Sequence, residues 1–452
     1  MNSELFGKLP PTRLFFRCAV PAVITSVFGA LYSVVDGIFV GRYLGQDALA
    51  AVNLIMPVIM IVEAVSNMIA TGASVNISML LGQKRQEEAS GVFSFSVKFI
   101  FAFSCIISAM GFFFARQFIV LIAPGAAEEA IRLSVEYLRV YSAFGPLIPI
   151  YFALDNYLRV CGQERLSMAI GIITQALNVV LDFILIAVLH KGVREAAAAS
   201  CISIVLGSVW MLALFMGKRM DIYYTKKNIP ISLFLRIAAN GASEFFSTIS
   251  MSVMSVIMNL FLLKYGGTTA VAAFSIVMYV DSIVGMLNFG ICDSLQPAIS
   301  YCYGAGLMSR MEAIFKRVLA ASVITSVFAF LFMLLAGPYV APVFIKPGDD
   351  ELMRVSLRAI RIFSFSYLAG WIDMCFSSYF TALDRPMRSL IVSLFGTLFF
   401  PIVFLFILTA VWGLNGVWLM SCAAAVASGI LTLILAKTLN RKISEKKLSL
   451  TF

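Results

Sequence analysis

The chain has 452 residues, of which 61% are hydrophobic and only 13% charged, with a mean hydropathy of +0.94. A soluble domain is nearer half apolar and a quarter charged, so this composition excludes an ordinary soluble globular protein. The formal net charge of +10 does not signal nucleic acid, because the positive residues are scattered over short loops instead of forming one basic surface.

The first ten residues are polar and lack the layout of a signal peptide, so the first apolar stretch is expected to remain as an anchor. Apolar stretches of ~18 residues or more then recur along the whole chain, which reads as membrane spans. Twelve are expected, at about 12–41, 48–76, 89–115, 135–159, 165–189, 192–216, 232–263, 269–300, 312–337, 354–380, 387–411 and 415–437. Backbone polar groups have no water partner in lipid, so these spans must be helices. The alternation of a lipid-facing barrel strand is absent. Loops are short apart from 116–134 and 346–353, and a polar segment, 218–230, separates the sixth span from the seventh.

Most of the 34 Lys and Arg fall at span ends on the side of the N-terminus. Among them are Lys8, Arg13, Lys84, Arg85, Lys218, Arg219, Lys226, Lys227, Arg310, Lys316, Arg317 and the cluster 437–447. This bias predicts that both termini are cytoplasmic. Pro21, Pro57, Pro146, Pro149, Pro297 and Pro401 fall inside spans, where each bends its helix and frees a backbone carbonyl. Pro21 precedes Asp36 by 15 residues in the first span. It reads either as a static kink or as a hinge whose bend follows the state of Asp36.

The eight cysteines stand singly, with no CxxC, so neither a disulfide framework nor a metal site is expected. They read as small core residues. The single His190 ends the fifth span and reads as solvated. No GxxxxGK[ST], GxSxG or HExxH occurs, so neither a built-in nucleotide motor nor common hydrolase or metalloenzyme chemistry is expected.

The chain repeats itself at an offset of 222 residues. Residues 43–82 lie over 265–304 without a gap, and 13 of the 40 positions are identical, including Tyr43/Tyr265, Gly45/Gly267, Ala48/Ala270, Ala50/Ala272, Ile77/Ile299, Ser78/Ser300 and Gly82/Gly304. Six spans per half is an even number, so both halves enter the membrane in the same sense and the repeat is of the parallel kind. The expected fold class is an all-α integral membrane protein. Its expected parts are an N-terminal six-helix lobe, 1–217, a linker, 218–230, and a C-terminal six-helix lobe, 231–452.

Eight acids fall within or near the spans: Asp36, Glu63, Asp155, Asp182, Glu244, Asp281, Asp293 and Asp373. A charge at mid-membrane costs several kcal/mol, so such residues usually face a wet cavity and mark an ion or substrate path. No Lys or Arg lies at the middle of a span; Lys98, Arg17, Arg139 and Arg159 stand nearer the ends, where they can snorkel. The cavity is therefore expected to be negative and to prefer cations. None of the eight meets another acid at the repeat offset: Asp36 aligns with Met258, Asp182 with Phe404, Glu244 with Ala22 and Asp373 with Tyr151. The fold evidently accepts a neutral residue at each mate, which points to function. Gln175, Asn178 and Asp182, at i, i+3 and i+7, share one helix face that Asp36 could meet. Oxygen ligands of this kind suit Na⁺, and two adjacent carboxylates suit a shared proton equally well.

Asp36-Gly-Ile-Phe-Val-Gly-Arg-Tyr-Leu-Gly with 48–53, Leu158-Arg159 with Gly162, Asn178 with Asp182, and Gln296-Pro297-Ala298-Ile299-Ser300 before Gly304 together resemble the multidrug and toxic compound extrusion (MATE) family. The resemblance runs in order over almost the whole chain. It implies a twelve-helix, two-lobe antiporter that exports organic cations and drugs against Na⁺ or H⁺, without a resident cofactor. It implies a coupling site of Asp36, Asn178, Asp182 and Ser200, with Gln175 beside it and Na⁺ as a possible ligand of Asp36, Asn178 and Asp182. Glu244, Asp281, Asp293 and Asp373 become candidates for the substrate cavity. The expected setting is a prokaryotic plasma membrane, with the transporter a monomer and cationic drugs or metabolites its partners. The sequence departs from the family pattern where Gly192 is followed by Glu195 and the run ends in Ser200. Glu244 also stands about two turns early, and Asp373 about one turn late. A lipid-linked oligosaccharide flippase of the same superfamily is the alternative, although its anionic cargo calls for cavity arginines. A membrane enzyme lacks a catalytic constellation, and a channel fits the two-lobe repeat poorly.

Overall fold

The computed structural model describes residues 2–125, 127–227, 229–345 and 349–449. Lys346, and the side chains of the basic cluster at 441–447, lie outside the described residues. Every regular element among the described residues is helical.

The expected spans appear, with differences that have local causes. The first three are Pro11–Phe39, Gln46–Gly82 and Gln86–Phe113. The fourth is broken, into Glu128–Phe144 and Ile148–Val160. Pro146 and Pro149 lack the N–H that would carry one helix through this stretch. The fifth runs Glu164–Asp182 and continues as a π-helical turn, Phe183–Val188, before the sixth, Val193–Met216. The expected tenth span is also broken, into Asp350–Ser364 and Tyr367–Ala382. There the backbone tightens, Phe365 N–H donating to the Ile362 carbonyl at 3.3 Å and Ser366 N–H to that of Phe363 at 2.9 Å, the i→i−3 bonds of a 3₁₀ turn.

The seventh and eighth spans run together as Ile231–Ser294, 64 residues, about 96 Å of helix at 1.5 Å per residue. A hydrocarbon core is only about 30 Å thick. The break that makes two spans of it is Gly267, with φ 62°, a left-handed conformation that side chains with a Cβ resist. Nine stretches among the described residues are each long and apolar enough to cross a bilayer. One of these, Ile231–Gly304, holds two spans, and the two broken spans fall short as separate halves, so the count of twelve stands.

The chain forms two compact units, one of 1–241 with 297–311 and one of 242–296 with 312–452. In the first, Ile55, Ile59, Ala115, Ile119, Ile131 and Leu138 form a buried apolar cluster. The N-terminal segment is fixed there too. Phe6 is buried with its ring edge-on to Tyr301 at 5.8 Å, Arg310 Nε donates to the Phe6 carbonyl at 2.6 Å, and the Ser3 N–H donates to Asp221 at 2.6 Å. In the second unit a larger cluster gathers around Trp418, Leu262, Val277, Met333 and Ala359. Many large apolar side chains point outward, Leu121 at 77% and Ile324 at 69% exposure among them. Water would penalise such a surface, whereas lipid does not.

Candidate ion-coupling site

The fifth span presents its polar face as the spacing requires: Asn178 and Asp182 are buried and Gln175 is half-buried. Asp36, half-buried on the first span, brings its carboxyl against that of Asp182. The first span packs along the fifth closely enough that a Cβ at Gly29 would sit 3.8 Å from Gln175 Nε2. Asn178 Nδ2 donates to Ser200 Oγ on the sixth span at 2.9 Å. Tyr32 stands beside Ser200 and the two acids. The helix turns π-helical immediately after Asp182, a distortion frequent at functional sites.

The unmet hydrogen bonds define the chemistry. Both carboxylate oxygens of Asp182, Oδ1 of Asn178 and Oε1 of Gln175 are buried with no donor reaching them. Buried acceptors are normally satisfied, and a buried carboxylate facing a second carboxylate is strongly unfavourable as a bare pair of anions. Four orphaned oxygens on one helix face, beside a second acid and two hydroxyls, fit a hard monovalent cation or a proton. They do not resemble a transition-metal site, and no group of three or more His, Cys, Asp or Glu able to hold a metal occurs among the described residues.

The other acids are placed differently. Asp155 is bound to Arg159 at 2.6 Å and accepts from Ser167, so it ties two helices together within the first unit. Glu63 lies near Tyr141. In the second unit Asp281 accepts from the Tyr367 hydroxyl at 3.0 Å. Asp373 accepts from Thr432 at 2.8 Å with Ser428 beside it. Glu244 has Asp293 as its charged neighbour. Among the four candidates for the substrate cavity, Glu244 and Asp293 are thus neighbours. Glu195, the departure at the start of the sixth span, closes the helix end by accepting from the Gly192 N–H at 3.0 Å. Pro21 stands inside a helix that continues without interruption from Pro11 to Phe39.

Some groups have no counterpart in the sequence reading. Tyr32, one turn before Asp36, was within reach of an i, i+4 argument. Glu164, buried with Cys18 Sγ 3.2 Å from its Oε1, and Asp221, buried beneath Ser3, depend on partners far along the chain. So does the contact of Cys292 with Cys375, sulfur to sulfur at 3.0 Å beside Ser322.

The profile of the MatE family matches twice, over residues 21–184 and 245–407. The chain belongs to the MatE family. It is a membrane transporter and not an enzyme, and the double match restates the internal repeat. Multidrug export protein MepA of Staphylococcus aureus (strain MSSA476) is 26% identical over 450 residues, covering 97% of each chain. Its namesake from Staphylococcus haemolyticus (strain JCSC1435) is 24% identical over 436 residues, covering 96% of this chain and 94% of that one. The crystal structure of MATE in complex with MaL6 superposes with a TM-score of 0.92 at 23% identity, over 98% of this chain and 99% of the other. This MatE transporter therefore has the two-lobe, twelve-helix fold.

Proposed function

We propose that this transporter is a multidrug efflux antiporter that exports amphipathic organic cations in exchange for Na⁺ or H⁺. Drug export is in keeping with the name its staphylococcal relatives carry. The observation that carries the coupling is the Asp36–Asp182 pair with its orphaned oxygens. A cation or proton entering there removes the repulsion of the pair and supplies the missing partner of Asp182. Na⁺ would be held by the oxygens of Asp36, Asp182 and Asn178, with Gln175 and Ser200 adjoining, whereas a proton would be shared between the two carboxyls.

Ion and drug need not touch. Each has only to favour a different state, and the coupling is then reciprocal. The alternating access we infer is a rocking of two parallel six-helix repeats about 218–230, with bending of the first span at Pro21 as its local step. The substrate preference follows from charge. The spans contribute eight acids, while Lys98, midway along Gln86–Phe113, reaches back to the Tyr224 ring at 5.2 Å, and the 22 Met offer thioethers that adapt to varied ligands. We place both termini in the cytoplasm and take the working unit as a monomer. The flippase alternative gains nothing from this site, whose named residues carry no positive charge.

The test is counterflow in proteoliposomes with a planar lipophilic cationic dye, under an imposed Na⁺ or pH gradient. Dye efflux is expected to accelerate under one of the two gradients, and a matched anionic dye is expected to be transported poorly. Equal transport of the anion, or indifference to both gradients, overturns the proposal.

A further inference from the structure

A cavity of about 310 Å³ opens where the second and third spans meet the 218–230 segment. It lies wholly within the first compact unit, away from the Asp36–Asp182 pair. Its charged lining consists of Arg85, Lys227, Arg236 and one acid, Glu88. Glu88 is engaged by Arg85, whose Nε and Nη2 donate to it at 2.8 and 2.7 Å. Lys227 enters no ion pair among the described residues. The cavity therefore keeps a positive excess with one acid already partnered. The rest of the wall includes Met79, Leu80, Ile229 and Leu233. On the helix beginning at Ile231, Ile231 and Leu235 stand one turn apart, 69% and 60% exposed, next to Arg236.

We infer that this cavity binds a phosphate group, with an anionic phospholipid headgroup as the source that suits it best. Lysine and arginine are the side chains that take phosphate, arginine as a planar fork and lysine as a point charge. A free inorganic ion would need only the charges. The apolar wall, and an outward-facing apolar ridge beside the positive end, match the boundary between a headgroup and its acyl chains. Basic pockets between membrane helices recognise lipid headgroups in this way. Such a ligand would join the linker, through Lys227, to the ends of the second and third spans, through Arg85.

The experiment uses the full-length protein purified in neutral detergent. Thermal unfolding and equilibrium binding are followed on adding phosphatidylglycerol, phosphatidylcholine or inorganic phosphate in separate arms. Phosphatidylglycerol is expected to raise the unfolding temperature and phosphatidylcholine to leave it unchanged. Lys227→Gln and Arg236→Gln are each expected to weaken phosphatidylglycerol binding about fivefold, the effect of one charge at a lipid surface. Lys316→Gln, which does not line the cavity, is expected to leave binding unchanged. A shift reproduced by inorganic phosphate alone supports the site and assigns it to the free anion. Equal response to the two lipids with none to phosphate, or a loss in Lys316→Gln as large as in the cavity variants, overturns the inference.

Discussion

Asp182 in the first compact unit and Asp281 and Asp373 in the second meet burial in opposite ways. In the first, Asp182 is fully buried with no donor on either oxygen, and its nearest charged neighbour is another carboxyl. In the second, Asp281 has the Tyr367 hydroxyl and Asp373 has Thr432. An acid supplied with hydroxyl donors is complete as it stands. An acid without them waits for something mobile. Depth in the membrane does not by itself mark a coupling residue; an unmet hydrogen-bond requirement beside a second carboxyl is what sets Asp182 apart from Asp281 and Asp373.

The most severe way to break this comparison is to neutralise the pair. Asp36→Asn or Asp182→Asn is expected to abolish gradient-driven dye efflux while the protein still reaches the membrane, a loss of about 5- to 150-fold if the full coupling energy disappears. Asp373→Asn is expected to retain gradient-driven efflux with altered dye affinity. If the second-unit variant is as dead as the first-unit ones, the division between the units fails.

A smaller effect is expected from the orphaned amides. Asn178→Ala removes one acceptor and frees Ser200, and should shift the ion concentration for half-maximal efflux by about tenfold, the low end of the range for one charge-assisted contact. An unchanged ion dependence would take Asn178 out of the site. Pro21→Ala comes next. Dye binding should stay within a few-fold while efflux slows or uncouples. Normal transport by this variant, with the first span straight in both ion-bound and ion-free states, would remove the hinge and leave rigid repeats alone. The mildest change is Tyr367→Phe, which takes one hydroxyl from Asp281. A loss of about 0.6–2 kcal/mol in unfolding free energy is expected, as for other hydrogen bonds between membrane helices, with coupling intact. Loss of coupling in that variant would show that Asp281 belongs to the ion path.

Much of this was legible in the residues. Hydropathy located the spans, the 222-residue offset the repeat, and the i, i+3, i+7 spacing the polar face of the fifth span. All three are periodic signals carried within the chain itself. The breaks in the fourth and tenth spans were less visible. Prolines announced the first, whereas the second is a tightened backbone turn at Phe365 and Ser366 with no proline to mark it. What stayed hidden depends on partners distant in sequence. Nothing local in Glu164 points to Cys18, 146 residues away, and nothing in Asp221 points to Ser3. Asp155 looked like its fellow acids until Arg159 and Ser167 were seen to absorb it.

Gly82 and Gly304 are repeat mates, and each is the other's neighbour. A Cβ on Gly82 would fall 2.3 Å from the Tyr301 carbonyl oxygen, and one on Gly304 would fall 2.3 Å from that of Met79, while Met79 and Tyr301 are themselves mates at the same offset. The contact is self-complementary, like that of a two-fold dimer in which residue i meets j and j meets i. A homodimer must accept every substitution twice. Here the two copies are written separately in one chain, so each side can change alone. Any side chain at either glycine would force this backbone seam open, whereas residues away from it differ between the two copies. That freedom is what allows one repeat to hold a bare acid pair where the other holds Met258 and Phe404. A transporter assembled from two identical half-size subunits could place a coupling site in one half only by placing it in both.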